Sequence, residues 1–528
     1  MPDSLKNIPL DYYHCTFFLP LSGLNDNEFS PQTDFAYHYC PDNDLLSAAE
    51  KQAYHYFTPA LRNILFDCPK HSSNSLKPVK EWRLPKEVIA QWSLHLGLEK
   101  DKEEPFKYQQ VSFEEVRLFR YFNGIYLLSF RVMPEDISQN PALENWLHFS
   151  RLARLVYPSF NEQVDEDKIA PLRLLSKLDH SLLANAFTEH EIKIPQKTGE
   201  YISPVLRYLL KQFAVAPKRV DALMDNYHYL YDDRMFVSVA YSIAGEQRPA
   251  EQLQRIFNLM ATVDRVADAW VVDGEYAYTP HSIKQWMQGK HLDFWNEVGG
   301  YFAFTEFSNT YLSRGDFFTG IIAPDHIPYE YDRMLVQALF YQASLRLYDD
   351  GISRETSDIL DLHQYTDIRK KRADFIRFTN QYWFHTVTEQ MQGKLIFDLQ
   401  KKNLGLQDHY DVIKDELERT DEYLQTGREV RLKNLSDTLT KGGLVAAFLA
   451  LYYAALPLWK DYFKDQQTAS DQVVNLSLWE RAGTFFGVGS SLSEPIGFGI
   501  LLVVVPVLIT VITLVGIKVF GAFKKTKN

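Results

Sequence analysis

The sequence predicts an α/β (or α+β) domain followed by a long helical stalk and two C-terminal transmembrane helices. Its 528 residues, 46% hydrophobic and 23% charged, are typical of a chain with a large globular core. The net charge is −12, yet residues 441–528 contain eight Lys or Arg and five acidic residues. The same basic tail contains two long uncharged runs. An acidic body is therefore joined to a basic, apolar tail, and this composition excludes disordered and disulfide-rich classes.

Residues 1–365 are expected to form the globular domain, with residues 160–200 as an insertion or boundary. Turn signals and apolar runs predict four strand regions: Tyr13–Phe18, the hairpin Val116–Val132 turning at Asn123-Gly124, Met235–Ala240 and Thr319–Ile322. Apolar residues at helical spacing predict five helical regions: Asp44–Leu65, Glu144–Val156, Val205–Phe213, Glu251–Met260 and Tyr331–Tyr348.

The cysteine pattern predicts a reducing compartment. Cys15, Cys40 and Cys68 cannot all pair with one another, and their spacing matches no zinc motif. We expect reduced thiols in the core. Because the N-terminus lacks a basic segment followed by an apolar one, no secretory signal is expected and the body should stay in the cytosol.

Catalytic signatures are missing from the sequence. It contains no Walker-type phosphate loop, Gly-x-Gly-x-x-Gly, His-Glu-x-x-His or Gly-x-Ser-x-Gly. We therefore expect no enzyme. Two acidic pairs, Asp232-Asp233 and Asp349-Asp350, could bind Mg²⁺ or another divalent cation through oxygen. The alternative is that each pair caps a helix or forms a turn, since Asp-Asp-Gly is ordinary turn chemistry.

The stalk is predicted over residues 366–441. From Leu406 to Thr440 there is no proline, and apolar residues recur at alternating four- and three-residue spacing. A preceding helix, Asp367–Lys401, could pack antiparallel against it after a turn at Gly405. The seam turns polar at Asn434 and Thr438, which indicates either a solvated helix end or a face towards a wet pore. A single helix of this length could not bury its seam alone, so several copies should share it.

The two uncharged runs predict transmembrane spans at 442–459 and 495–517, each near the roughly 20 residues that a bilayer requires. The alternative for each is a buried core helix. In the first span, small residues fall on one face and allow close helix packing: Gly443, Ala447, Ala450 and Ala454. Lys and Arg residues concentrate before the first span and in the tail 518–528. The positive-inside rule therefore places both termini in the cytoplasm, with the connection 460–494 outside, in a multi-pass protein of the cytoplasmic membrane.

This order of segments resembles the CorA superfamily of divalent-cation channels. The hairpin Val116–Val132 and the segment Glu416–Leu458, where the polar stalk becomes the first span, carry the local resemblance. The resemblance implies a homopentamer with a funnel-shaped cytosolic domain, closed by metal bound between those domains. It also implies a pore lined by the stalk and first span, which makes six residues candidates for the lining: Asn434, Thr438, Gly443, Ala447, Ala450 and Ala454.

The sequence departs from this family at the pore mouth. The hallmark Gly-Met-Asn after the first span is absent; its counterpart would be Gly487-Val488-Gly489, with Glu494 nearby. The glycines could equally be turn residues that precede a span. The resemblance implies a channel or transporter for Mg²⁺ or a related ion, with the lipid bilayer and further copies of the chain as partners. The alternative is a pore-forming effector of an antiviral, type III CRISPR-like system, opened by a small nucleotide. Neither hypothesis requires nucleic-acid binding or a covalent cofactor.

Overall fold

The computed structural model divides the chain into an N-terminal unit, Met1–Asp421, and a C-terminal unit, Glu422–Asn528. The residues that it describes are 8–23, 47–66, 79–96, 109–139, 141–157, 172–185, 202–214, 228–229, 234–245, 250–263, 280–355 and 362–468.

Among the residues that the structure describes, the N-terminal unit is built on a sheet of twelve strands, in the order β10-β11-β12-β9-β1-β5-β4-β3-β6-β7, with β2 paired to β4 and β8 to β1. The strands are β1 Leu10–Ser22, β2 Lys80–Arg83, β3 Trp92–Leu96, β4 Gln109–Arg120, β5 Tyr126–Pro134, β6 Leu172–Ser176, β7 Leu182–Asn185, β8 His228–Tyr229, β9 Phe236–Ile243, β10 His291–Leu292, β11 Tyr301–Phe304 and β12 Ser308–Ser313. All of these pairings are antiparallel except that of β12 with β9. The mixed α/β class predicted from the sequence is confirmed.

The hairpin formed by β4 and β5 confirms the predicted one. Val116 pairs with Phe130, and the backbone N–H of Tyr121 donates to the Ile125 carbonyl at 2.8 Å, which closes the loop. Gly124 has φ +80°, a conformation that favours glycine. The predicted strand Tyr13–Phe18 is confirmed within β1, and the predicted strand Met235–Ala240 corresponds to β9, which begins one residue later at Phe236.

The two faces of the sheet bury different cores. Tyr13, Cys15 and Phe17 of β1 belong to one apolar core, whereas Phe18 belongs to the other, as the alternation of a strand requires. Cys15 is a buried free thiol, as predicted. Cys40 and Cys68 lie outside the described residues.

Most helices differ from the predicted ones at their ends, but the predicted helical region Asp44–Leu65 contains two helices, which are separated by extended residues at Phe57 and Thr58. The α-helices are Ala48–Tyr56, Pro59–Leu65, Lys86–Ile89, Leu143–Ala153, Pro204–Lys211, Ala250–Ala261, Pro280–Trp286, Asp332–Glu355, Leu362–Gln381, Met391–Asn403 and Leu406–Thr468. The 3₁₀ segments are Ile137–Gln139 and Asn296–Val298. The prediction of one helix over Asp367–Lys401 is wrong, because the chain forms two helices there. The predicted turn at Gly405 is confirmed by its φ of +63°.

A π-helix, Phe318–Tyr331, replaces the predicted strand Thr319–Ile322. The β-branched run favoured a strand, but its side chains do not alternate in burial: Ile321 is exposed and Ile322 is half-buried. Pro324 and Pro328 lie within the π-helix and cannot donate backbone hydrogen bonds, which disfavours a regular α-helix at this point. π-helical segments are rare in proteins, and those that occur are often found at functional sites.

The segment 160–200 contributes to the sheet where it is described. Leu94 of β3 pairs with Leu174 of β6, and Leu174 in turn pairs with Ala184 of β7. Residues 172–185 therefore continue the edge of the sheet.

Candidate functional site

The helix Leu406–Thr468 contains the whole predicted stalk seam and the first predicted span. In the N-terminal unit its seam is buried by the chain itself: Ile413 and Leu417 belong to the core beneath helix Asp332–Glu355. The ring of Tyr410 stacks on Trp383, with centroids 4.8 Å apart. The expectation that only further copies could bury this seam is therefore wrong for its first turns.

An ion pair holds this helix at the end of the N-terminal unit. Arg372 Nη1 contacts Asp421 Oδ2, and Asp421 is buried. This pair belongs to the N-terminal unit, whose last residue is Asp421.

In the C-terminal unit the same helix is long and apolar enough to cross a membrane, with a mean hydropathy of 1.5 in its most apolar window. None of that window is buried by the protein, and among the described residues no other helix meets these criteria. Leu444, Phe448 and Leu451 are exposed large apolar side chains. These observations support association with a membrane.

Further predicted features lie outside the described residues: the second span 495–517, the tail 518–528, most of the connection 460–494, the pore-mouth residues Gly487, Val488, Gly489 and Glu494, and the acidic pair Asp232-Asp233.

The predicted pore-lining residues occupy two faces of the helix. Successive residues of an α-helix are rotated by about 100°. Gly443, Ala447 and Ala450 therefore share one sector, whereas Asn434 and Thr438 lie on roughly the opposite face. A straight helix cannot present both groups to one pore, which corrects the single lining predicted from the sequence. The Thr438 hydroxyl also donates to the Asn434 carbonyl at 2.8 Å, within its own helix.

Three leucines fall in the same broad sector as the small residues. Leu432, Leu435 and Leu439 are 54%, 57% and 68% exposed. They precede Lys441 and share the sector with Ser436, whereas the part of the sector within the uncharged run 442–459 contains Gly443, Ala447, Ala450 and Ala454. We call this sector the leucine–alanine face: Leu432, Leu435, Leu439, Gly443, Ala447, Ala450 and Ala454.

The acidic pair Asp349-Asp350 lies within helix Asp332–Glu355, so the alternative prediction of a turn is wrong there. Asp349 Oδ2 is 3.7 Å from His409 Nε2. Over the described part of the chain, no cluster of three or more His, Cys, Asp or Glu side chains is arranged to hold a metal. For Mg²⁺, which takes six oxygen ligands, this pair would need ligands from elsewhere.

The sequence analysis missed a buried arginine–glutamate cluster between the sheet and the π-helix. Its residues come from helix Ala48–Tyr56, strands β2, β4 and β5, and helix Asp332–Glu355: Glu50, Glu81, Arg83, Glu115, Arg117, Arg131 and Arg333. All seven are buried. Buried charges are tolerated when they are paired and hydrogen-bonded.

Glu81 lies at the centre of the arginine–glutamate cluster. Its Oε2 accepts a hydrogen bond from Arg333 Nη2 at 2.7 Å, and its Oε1 accepts one from Arg83 Nε at 3.0 Å. Burial alone would raise the pKa of Glu81, but the charges of Arg333, Arg83 and Arg117 lower it to about 2. Glu81 is therefore ionised at neutral pH and joins β2 to the start of helix Asp332–Glu355.

The π-helix contacts this cluster through Tyr329. Arg131 Nη2 donates to the Tyr329 hydroxyl at 3.3 Å, and the guanidinium groups of Arg117 and Arg131 lie 5.7 and 5.4 Å from the centre of its ring. Burial raises the pKa of Tyr329, but the two arginines outweigh burial and the net pKa is lowered. Burial and the charge of Arg83 lower the pKa of Arg117 to about 9. The Tyr329 ring thus lies against the guanidinium groups of Arg117 and Arg131.

A row of polar residues starts within the cluster, at Glu115 and Arg131, and crosses five strands beneath the π-helix. The register aligns Glu115, Arg131, Thr16, Ser238 and Asn309 from β4 to β12. All five residues are buried. Because buried polar groups are normally hydrogen-bonded, these side chains need hydrogen-bond partners, and the π-helix or the helix that follows it can supply some of them.

Asp332, the first residue after the π-helix, is one such partner. Its Oδ1 accepts a hydrogen bond from the Ser238 hydroxyl. Burial raises the pKa of Asp332 to about 6. Nearby His14 is fully buried, and burial together with Arg131 keeps its pKa well below the ordinary value, so it is neutral.

A repeated sequence pattern could have revealed the cluster. Glu81-Trp82-Arg83 and Glu115-Val116-Arg117 each place Glu and Arg two residues apart around an apolar residue. On a strand this spacing puts both charges on one face, opposite a core residue. Arg131 and Arg333 carry no comparable signal.

No family model, no curated protein and no solved structure matches the chain. The class of protein is therefore the one that its geometry defines: a mixed α/β unit and a helix able to span a membrane.

Proposed function

We propose that the protein is an oligomeric membrane channel or transporter for divalent cations, Mg²⁺ or a related ion, under the control of its N-terminal unit. The observation that carries the proposal is the helix Leu406–Thr468. It begins in the core of the N-terminal unit and continues, unbroken, through an apolar segment that the protein leaves entirely unburied. A lipid bilayer and neighbouring copies are the surroundings that such a segment requires.

The leucine–alanine face supports packing between copies. In water, the burial of Leu432, Leu435 and Leu439 against another copy lowers the free energy. In lipid that driving force vanishes, and small residues such as Gly443 and Ala450 instead favour close approach of helices. The residue type on this face changes at the point where the apolar run begins. We assign this face to the inside of the helix ring, with Asn434 and Thr438 on the outside.

The proposed topology follows the positive-inside rule. Both termini lie in the cytoplasm, the span 495–517 forms a second transmembrane helix, and residues 460–494 face the outside of the cytoplasmic membrane. The resemblance to CorA channels makes a pentamer the expected assembly. Metal regulation would use carboxylates such as Asp349 and Asp350, completed by a neighbouring copy.

Ion flux into liposomes tests the proposed activity. The full-length protein is reconstituted with a Mg²⁺-sensitive dye inside the vesicles, and empty vesicles serve as the control. Influx of Mg²⁺ that saturates with concentration supports the proposal. Vesicles that stay silent with Mg²⁺ but leak small ions once nucleotides are added would replace it by the pore-effector alternative. Silence under both conditions contradicts both.

Single cysteines in the described helix test the assigned lining. Ala450→Cys and Thr438→Cys are small substitutions on different faces of one helix, about 120° apart. A membrane-impermeant thiol reagent is expected to block flux through Ala450→Cys and to leave Thr438→Cys unaffected. The reverse result would place Asn434 and Thr438 on the pore side.

A further inference from the structure

The π-helix contains an ion pair whose two members differ in exposure. His326 Nδ1 lies 2.7 Å from Glu330 Oε2, and the side chain of His326 is 27% exposed against 6% for Glu330. Among the described residues, no second cation lies within ion-pair distance of Glu330. The positive charge beside this buried carboxylate therefore depends on a proton that the partly exposed imidazole of His326 can exchange with solvent.

The elements packed against the π-helix do not replace that proton. Arg333, on the following helix, is committed to Glu81 at 2.7 Å. Asp325, Tyr331 and Tyr56 act electrostatically on His326 or lie near Glu330, and none of them is a cation. The packed elements also carry Glu50, Lys51 and His55 on helix Ala48–Tyr56, Tyr12 and His14 on β1, Ser238 on β9, Asp332, and Gln400 on helix Met391–Asn403. Within the described residues neither Lys51 nor His55 forms an ion pair with Glu330.

We propose that His326 and Glu330 form a proton-operated latch, which holds the π-helix in place when His326 is protonated and loosens it when His326 is neutral. The hydrogen bond to Glu330 raises the pKa of His326 above its ordinary value of 6.5, against the effect of burial. The stabilisation is thus fully present below pH 6.5 and is lost as the pH rises through the raised pKa. Above it, the carboxylate of Glu330 stays buried without a positive partner, which is costly.

The two latch residues lie close to contacts that join the π-helix to the rest of the N-terminal unit. Tyr329, between the two latch residues, binds the arginine–glutamate cluster. Gln400 Nε2 donates to the Tyr331 carbonyl at 3.4 Å, which joins the π-helix to helix Met391–Asn403. Loosening residues 318–331 would therefore weaken contacts with the sheet and with that helix together.

Hydrogen exchange measured by mass spectrometry on the full-length protein in detergent tests the latch without any transport assay. After correction for the intrinsic pH dependence of exchange, protection of peptides covering residues 318–331 should fall about tenfold between about pH 6 and pH 8.5, the scale of one charge-assisted hydrogen bond. Equal protection at the two pH values in the unmodified protein would overturn the proposal. Failure of the flux assay would leave this result unchanged.

Variants distinguish the latch from a general effect of pH. His326→Gln should show low protection at both pH values, and His326→Lys should retain protection at about pH 8.5. Glu330→Gln removes the buried charge, so protection should be equal at the two values. The matched control is His409→Gln, in the more exposed pair with Asp349, which should keep the unmodified pH dependence. A pH dependence unchanged in His326→Gln would assign the effect to another group and contradict the latch.

Discussion

The helix Leu406–Thr468 carries apolar residues at helical spacing in both units, but the chain buries only the first set. Ile413 and Leu417, in the N-terminal unit, belong to its core. Leu432 and Leu439, in the C-terminal unit, are more than half exposed. The side chains are chemically alike, so the difference lies in the available partner. The N-terminal unit supplies its own core, whereas the described chain leaves these leucines of the C-terminal unit exposed, which supports association of that segment with a membrane.

Charged residues show the complementary contrast. The arginine–glutamate cluster of the N-terminal unit contains four buried arginines and three buried glutamates, which form ion pairs with one another. The apolar run 442–459 of the C-terminal unit contains no charged residue. The N-terminal unit thus contains partners for both kinds of side chain, and its stability should respond to single substitutions that remove one partner.

The largest effect is expected for Glu81→Ala. The substitution leaves Arg83 and Arg333 buried without the carboxylate that holds them, and breaking a buried pair in this way costs about 3–5 kcal/mol. Chemical denaturation of the N-terminal unit, followed by tryptophan fluorescence, measures the loss. Glu81→Gln keeps the volume and serves if the alanine variant does not fold.

The matched control is Glu389→Ala, in the exposed pair with Lys394 at 2.7 Å. Exposed pairs contribute about 0–1 kcal/mol, so its unfolding curve should overlay that of the unmodified protein. If the Glu81 variants unfolded no earlier than this control, the cluster would not stabilise the unit.

The second effect compares the two sets of apolar residues directly. Ile413→Ala should destabilise the N-terminal unit by about 2–4 kcal/mol, because Ile413 is fully buried in its core. Leu435→Ala should leave that unfolding transition unchanged and lower the fraction of cross-linked oligomer in membranes. Equal effects of both substitutions on unfolding would show that the chain itself buries Leu435 as well as Ile413.

The sequence was sufficient for features specified by local chemistry. The β4–β5 hairpin follows from alternating apolar residues around Asn123-Gly124, and the turn at Gly405 follows from the position of a glycine after a helix. The uncharged run 442–459 predicted a helix able to span a membrane from composition alone.

Features that depend on distant contacts could not be predicted. Asp349-Asp350-Gly351 is typical of a turn, yet helix Asp332–Glu355 continues through it because its inner face is buried in the core. The π-helix is stabilised by partners such as Arg131, almost 200 residues away from Tyr329 in the sequence. The arginine–glutamate cluster likewise assembles from five separate elements. The Glu-x-Arg pattern of β2 and β4 marks four of its residues, but Glu50, Arg131 and Arg333 carry no local signal.

The smallest effect concerns the polar row beneath the π-helix. The pKa of Asp332 is raised by burial from 3.8 to about 6. Its contribution to stability is therefore fully present below pH 3.8 and is lost as the pH rises through about 6. Between about pH 5 and pH 8 the free energy of unfolding should therefore fall by about 1 kcal/mol because of Asp332. Asp332→Asn cannot ionise and can still accept a hydrogen bond from Ser238, so its free energy of unfolding should change less with pH over that range. If the variant lost stability with rising pH as steeply as the unmodified protein, Asp332 would not be the titrating group, and the row would be held by its strand partners alone.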